Sequence, residues 1–194
     1  MRALVYTRPN EVRLEDRPMP TLADGEAIVR IDAVGICGSD MHAYHGQDPR
    51  RQPGLVMGHE FAGTIVDGPG KGLRVTGNPL ITCGVCDYCL QGRDNLCANR
   101  TMVGMTRPGA YAEYMSTPTR TLIELPDSLG AAQAALAEPA ATALHALAVA
   151  ARALARPLPE ARVLVIGGGA IGMLTALLLR HGGVAQVWVA ETNP

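Results

Sequence analysis

The sequence predicts a mixed β and α/β protein, a β-rich first part followed by the start of a doubly wound nucleotide-binding fold. Three observations carry this. Short, evenly spaced segments rich in Val, Ile and Thr fill the first 126 residues, with Gly and Pro between them. Four cysteines, Cys83, Cys86, Cys89 and Cys97, crowd a stretch that has no strand period. Residues 162–166, the turn Gly167-Gly168-Gly169-Ala170-Ile171-Gly172 and residues 186–190 read as strand, turn into helix, and strand.

In order, residues 3–6, 12–15, 27–31, 63–66, 73–75 and 112–115 read as strands of a barrel or sandwich. The cysteine stretch, about 78–100, is an excursion from them folded around its own cluster. Character changes at Leu125-Pro126-Asp127-Ser128, and alanine and leucine then favour helix from 131 to 154. Pro139 fits the first turn of a fresh helix, where its missing N–H costs little. His145 falls on an apolar stretch and reads as a core residue. Pro157 and Pro159 mark a linker, and Gly182-Gly183 stop the helix that follows the glycine turn. The expected domains are 1–150 and 151–194.

Composition bounds the function. A chain of 194 residues, 47% hydrophobic, can bury one substantial core and begin a second. A net charge of −1 offers no electrostatic case for nucleic acid or an anionic membrane. Polar residues follow Met1-Arg2-Ala3-Leu4-Val5-Tyr6 at once, unlike a signal peptide, and no apolar run is read as a membrane span. Five cysteines, four of them given to a metal, suit a reducing cytoplasm.

The Cys83-x-x-Cys86-x-x-Cys89 spacing with Cys97 suits one tetrahedral Zn²⁺, since each two-residue gap turns the backbone and presents the next sulfur. Paired disulfides are the alternative, but cysteines three apart in a tight loop rarely reach bridging geometry. Four thiolates leave a closed, charge-saturated zinc that holds a loop together and does no chemistry. In the glycine turn, Gly167 permits the tight bend, Gly169 a close approach of pyrophosphate, and Gly172 close packing of helix on strand. Glu191, 19 residues after Gly172, ends the next strand, where a carboxylate accepts from the adenosine ribose hydroxyls of NAD. The plain alternative is an ordinary strand-to-helix turn and a surface glutamate.

Cys37 stands apart from the other cysteines, in Gly35-Ile36-Cys37-Gly38-Ser39-Asp40-Met41-His42. Gly58-His59-Glu60 precedes a strand, and Glu138 precedes Pro139. Singly these are a buried thiol, a core histidine and a capping glutamate. Together with the cysteine excursion and the nucleotide turn, in this order, the chain resembles the N-terminal part of zinc-dependent medium-chain alcohol and polyol dehydrogenases.

That resemblance implies a GroES-like β-barrel catalytic domain with a zinc lobe, then the start of a Rossmann domain. It implies a catalytic zinc on Cys37 and His59. Glu138 matches a position that is glutamate in sorbitol-type members and cysteine in ethanol-type ones. Glu60 matches a residue that is a direct ligand in some members and only near the metal in others. Asp40 matches the carboxylate that orients the metal-bound histidine. Ser39 and His42 match a proton relay, and Thr142 matches a residue against the nicotinamide. Gly38 departs from the arginine of ethanol-type members. Tyr44 and Tyr111 are open between pocket lining and ordinary packing.

A zinc held by one thiolate, one carboxylate and one imidazole stays electrophilic, and a bound alcohol would lose its proton readily. The implied activity is hydride transfer between a small secondary alcohol or polyol and NAD, in a homo-oligomeric enzyme longer than this chain. The alternative is a non-catalytic zinc-stabilised fragment or interaction module.

Overall fold

The alternating segments of the first part form strands in the computed structural model, which describes residues 1–193. β1 (Arg2–Arg8) and β2 (Glu11–Asp16) make an antiparallel pair. β3 (Glu26–Gly35), β4 (Glu60–Asp67), β5 (Arg74–Gly77), β8 (Tyr114–Pro118) and β9 (Leu122–Glu124) form an antiparallel sheet in the order β8-β3-β4-β5-β9. Between β5 and β8 the chain makes the small pair β6 (Leu80–Ile81) and β7 (Thr101–Met102).

The outer strands of the five-stranded sheet are consecutive in the chain, separated only by residues 119–121. Laid flat, five strands would hold their outer members about 19 Å apart. The four steps from Pro118 to Leu122 reach at most about 14 Å. The sheet therefore curls on itself, as a GroES-like barrel requires. Its interior is filled by Val29, Phe61, Ile65, Val75, Val103 and Met115, all 2% exposed or less.

Two strand expectations shift. Residues 73–75 move to β5, and Ala112 of the expected 112–115 instead bridges Ala3 ahead of β8. Helix α1 (Gly38–Tyr44), the pair β6–β7 and β9 had no sequence signal, because each is too short to show a period. In the cysteine excursion, α2 (Asp87–Leu90) is a single helical turn.

The chain divides into the units Met1–Leu136 and Ala137–Pro194. The expected helix over 131–154 is two helices, α3 (Ala131–Ala134) and α4 (Ala137–Ala153), with Pro139 in the first turn of α4. His145, read as a core histidine, is exposed. By length and composition, the helical residues Ala131–Ala153 could cross a membrane, which corrects the expectation that no run is long enough. Glu138, Pro139, His145 and Arg152 interrupt that stretch, so it does not stand out as one apolar run.

In the second unit, β10 (Arg162–Ile166) and β11 (Gln186–Ala190) match the expected strands and pair in parallel, Val163 opposite Val187. Helix α5 (Ala170–His181) connects them and buries Ala176 and Leu179. Gly183, at φ +84°, carries the chain out of the helix. This is a β-α-β unit with its glycine turn between β10 and α5.

Candidate functional site

Four sulfurs meet in the excursion. Cys86 caps α2 and Cys89 rides on it, while Cys83 and the fully buried Cys97 approach from either side. The Sγ atoms lie 3.5 Å (Cys86–Cys89), 3.7 Å (Cys83–Cys97) and 3.9 Å (Cys83–Cys89) apart. A disulfide needs about 2.0 Å. Four thiolates at about 2.3 Å from one Zn²⁺ stand about 3.8 Å apart at the edges of a tetrahedron. The cluster has the dimensions of a zinc site. Backbone N–H groups of Val85 and Cys86 draw the Cys83 thiol down to about 6, whereas burial and the sulfur of Cys86 push Cys89 up to about 12.

A second cluster forms where β3 ends and β4 begins. Cys37 caps α1, directly after β3, and His59 and Glu60 stand at the start of β4. Their ligand atoms all lie within 4.8 Å of one another. Two glycines make room. A Cβ on Gly35 would sit 2.2 Å from the Glu60 carboxylate, and one on Gly58, at φ +90°, would sit 2.6 Å from the Tyr111 ring. His59 and Glu60 are both buried.

Asp40 organises the back of this cluster. It is 2% exposed and accepts from Tyr111 Oη at 2.9 Å, Arg51 Nη2 at 3.2 Å and the Cys37 backbone N–H at 3.3 Å. His59 Nδ1 faces its Oδ1 at 3.6 Å and has no hydrogen-bond partner. Burial works against a charged imidazole, but the Asp40 carboxylate and Cys37 thiolate outweigh it and raise His59 to about 10. His59 in turn lowers the Cys37 thiol against the opposing effect of burial. Burial opposes the ionised Asp40, yet His59, Tyr111 and Arg51 hold its carboxyl below the usual range. A buried pocket that would keep a proton on its histidine is one that favours a cation. Thiolate, imidazole and carboxylate are the donors zinc takes in an open site.

Ser39 and His42, the expected relay, line one cleft with Gln47, Asp48, Pro49 and Arg50. Ser39 Oγ accepts from Arg51 Nη2 at 3.0 Å, and exposed His42 pairs through Nδ1 with Gln47 Oε1 at 3.0 Å. Sequence reasoning passed over Arg51, because Arg50-Arg51 looks like a solvated pair of charges and only burial sets them apart. Tyr111, left open between pocket and packing, packs against Gly58 and donates to Asp40. Tyr44 Oη donates to the Asn10 carbonyl.

The nucleotide turn fits its expected ligand in its own unit. A Cβ on Gly172 would lie 1.9 Å from the Gly167 carbonyl, so helix and strand approach as closely as that position allows. Gly167 takes φ +101°, and nothing lies within 4 Å of a Cβ on Gly169, where the cradle is open. Ala170 and Ile171 begin α5, both exposed. Glu191 lies at the end of β11 and accepts the Gly168 N–H at 2.7 Å, Thr192 N–H at 2.6 Å and Asn193 N–H at 2.9 Å. These backbone donors, that of Asn193 foremost, lower its carboxyl to about 2. Glu138 and Thr142 both stand on α4, with Thr142 Oγ1 donating to the Glu138 carbonyl at 3.4 Å.

Residues 23–127 match the family described as the alcohol dehydrogenase GroES-like domain. The whole chain is 36% identical to L-threonine 3-dehydrogenase of Pectobacterium atrosepticum over 203 residues, covering 55% of that protein. It is 37% identical to L-galactonate-5-dehydrogenase of Escherichia coli K12 over 201 residues, covering 57%. A zinc-binding dehydrogenase from Sinorhizobium meliloti 1021, solved with NADP, superposes on 97% of the chain with a TM-score of 0.86, at 34% identity and 55% of its own length. The chain thus spans little more than half the length of the relatives it matches.

Proposed function

The chain belongs to the zinc-dependent medium-chain alcohol dehydrogenases, as their N-terminal part, and on that premise we propose that its protein transfers hydride between a secondary alcohol or polyol and NAD. The observation that carries the reading is the Cys37–His59–Glu60 cluster, with His59 and Glu60 buried and Cys37 half-buried, which is separate from the four-cysteine cluster and chemically unlike it. Cys83, Cys86, Cys89 and Cys97 would hold a structural zinc that keeps the excursion folded. Cys37, His59 and Glu60 would hold a second zinc, which would supply Lewis acidity at the substrate oxygen.

The remaining roles belong to this chain. Asp40 faces Nδ1 of His59, so Nε2 would be the nitrogen left to hold a metal. Ser39 takes the substrate's hydroxyl proton and passes one on to His42, from which it reaches solvent through the shared cleft. The N–H groups opening α5 and the bare Gly169 backbone would receive the pyrophosphate, and Glu191 would receive the ribose. The similar enzyme from Sinorhizobium meliloti holds NADP, so the choice of NAD rests on the Glu191 carboxylate alone. The polyol reading follows from glutamate at position 138 and agrees with the sugar-acid substrate in the name of the Escherichia coli relative. A cytoplasmic homo-oligomer completes the proposal.

Cys37→Ala in the complete enzyme tests it. Turnover should be lost and one zinc of two released, with the thermal midpoint little changed. Retained turnover would remove the catalytic assignment.

A further inference from the structure

Arg51 is a buried cation that the proposed chemistry does not use. Its side chain is 0% exposed, and four donors of its fork are engaged. Nε donates to the Gly104 carbonyl at 3.2 Å and Nη1 to Asp48 Oδ2 at 2.6 Å. Nη2 reaches both Ser39 Oγ at 3.0 Å and Asp40 Oδ1 at 3.2 Å. One guanidinium nitrogen therefore touches the relay hydroxyl and the carboxylate behind His59.

We propose that Arg51 is a positioning residue that clamps Ser39 and Asp40 together, holding the relay hydroxyl in register with the metal-bound imidazole. This rests on the reading given under Proposed function. A serine hydroxyl has one proton and two lone pairs. Arg51 occupies one lone pair. What remains is one acceptor site for the substrate's hydroxyl and one proton to hand on, the minimum a relay needs. Arg51 cannot itself be deprotonated, so it stays a donor to Ser39 Oγ whichever way the hydroxyl proton turns. At the other contact, the same nitrogen holds Oδ1 of Asp40, the oxygen that faces His59 Nδ1. Without the clamp, the carboxylate could rotate away from the imidazole. Lysine would keep the charge but not the fork, because a single ammonium cannot span Gly104, Asp48, Ser39 and Asp40 in one plane.

The test uses the complete enzyme, with Co²⁺ as the metal probe, and compares Arg51→Lys, Ser39→Ala and the double variant. Arg51→Lys should weaken Co²⁺ at the Cys37–His59 site by about ten- to a hundredfold, the range for residues that orient metal ligands, and leave Co²⁺ at the four-cysteine site unchanged. It should also lower kcat with little change in KM for NAD, and the double variant should lose less than the product of the two single losses. Co²⁺ affinity and kcat both at the unmutated level would overturn the proposal, as would fully multiplicative losses. If Ser39→Ala alone leaves kcat intact, the relay reading fails, while the Co²⁺ measurement still decides the Asp40 half of the clamp. Should Arg51→Lys not fold, Asp48→Ala frees Nη1 of the fork and keeps the cation. Unchanged Co²⁺ affinity in that variant would then overturn the proposal.

Discussion

His59 Nδ1 faces Asp40 Oδ1 across 3.6 Å, with both side chains 2% exposed. The gap is just beyond a hydrogen bond, and His59 Nδ1 is one of two buried side-chain polar atoms without a partner among the described residues. A neutral imidazole that ligates through Nε2 must carry its proton on Nδ1, where only a carboxylate is placed to accept it. Asp40→Asn should therefore weaken zinc at the Cys37–His59 site by about ten- to a hundredfold and leave the four-cysteine site loaded. Elemental analysis after dialysis against a graded chelator reads both sites. Equal retention at the two sites would show that Asp40 does not orient the histidine.

The two metal sites should differ in lability. Four sulfurs, with three of their pairs at 3.5–3.9 Å, would close off a metal, whereas the mixed site would keep a position for substrate. Mild chelation should release one zinc early, together with activity, and the second only as the protein unfolds. Cys97→Ala should mainly lower solubility and thermal midpoint, since metal binding at such a cluster is coupled to folding. Release of both zincs at one rate would argue against two kinds of site.

Glu191 should set the cofactor. Its carboxylate is already anchored by the Gly168, Thr192 and Asn193 N–H groups and stays ionised to about pH 2. A fixed negative charge there would face the 2′-phosphate of NADP. Loss of a charge-assisted hydrogen bond weakens binding by about ten- to a hundredfold. Glu191→Ala should weaken NAD by about that factor and narrow the gap to NADP. Steady-state kinetics of the unmutated enzyme with both cofactors decide the matter, and a preference for NADP would sink the assignment.

Asp48 should contribute to stability above about pH 4 and lose that contribution on acidification. Its hydrogen bonds with Arg50, at 2.8 and 2.9 Å, and its pairing with Arg51 lower its carboxyl to about 2 from an ordinary 3.8. A carboxyl lowered on folding contributes its full stability above the unfolded value. That contribution is lost as pH falls from about 4 through about 2. Asp48→Asn should lower the thermal midpoint at pH 6, and its deficit should shrink as pH is brought down to about 2.5. A deficit that stays constant over that range would show that the charge of Asp48 plays no part.

The sequence by itself determined the β-α-β unit and the four-cysteine cluster, because both are written locally. Residues 162–166 and 186–190 are largely apolar runs, the first ending at the glycine turn and the second following Gly182-Gly183, and they became β10 and β11 with the expected bounds. The cysteine spacing needs only a backbone turn between neighbouring ligands, so geometry follows from order in the chain. For Cys37, His59 and Glu60, a motif could name the residues, but meeting within 4.8 Å depends on β3 pairing with β4, Gly35 opposite Glu60. Only the tertiary structure decided Arg51. In sequence it is the second of two loop arginines. The folded chain exposes Arg50 and seals Arg51 behind Ser39, Asp40, Asp48 and Gly104. Burial and partners spread over residues 39 to 104 are properties of the packed chain, and no local pattern of residue types encodes them.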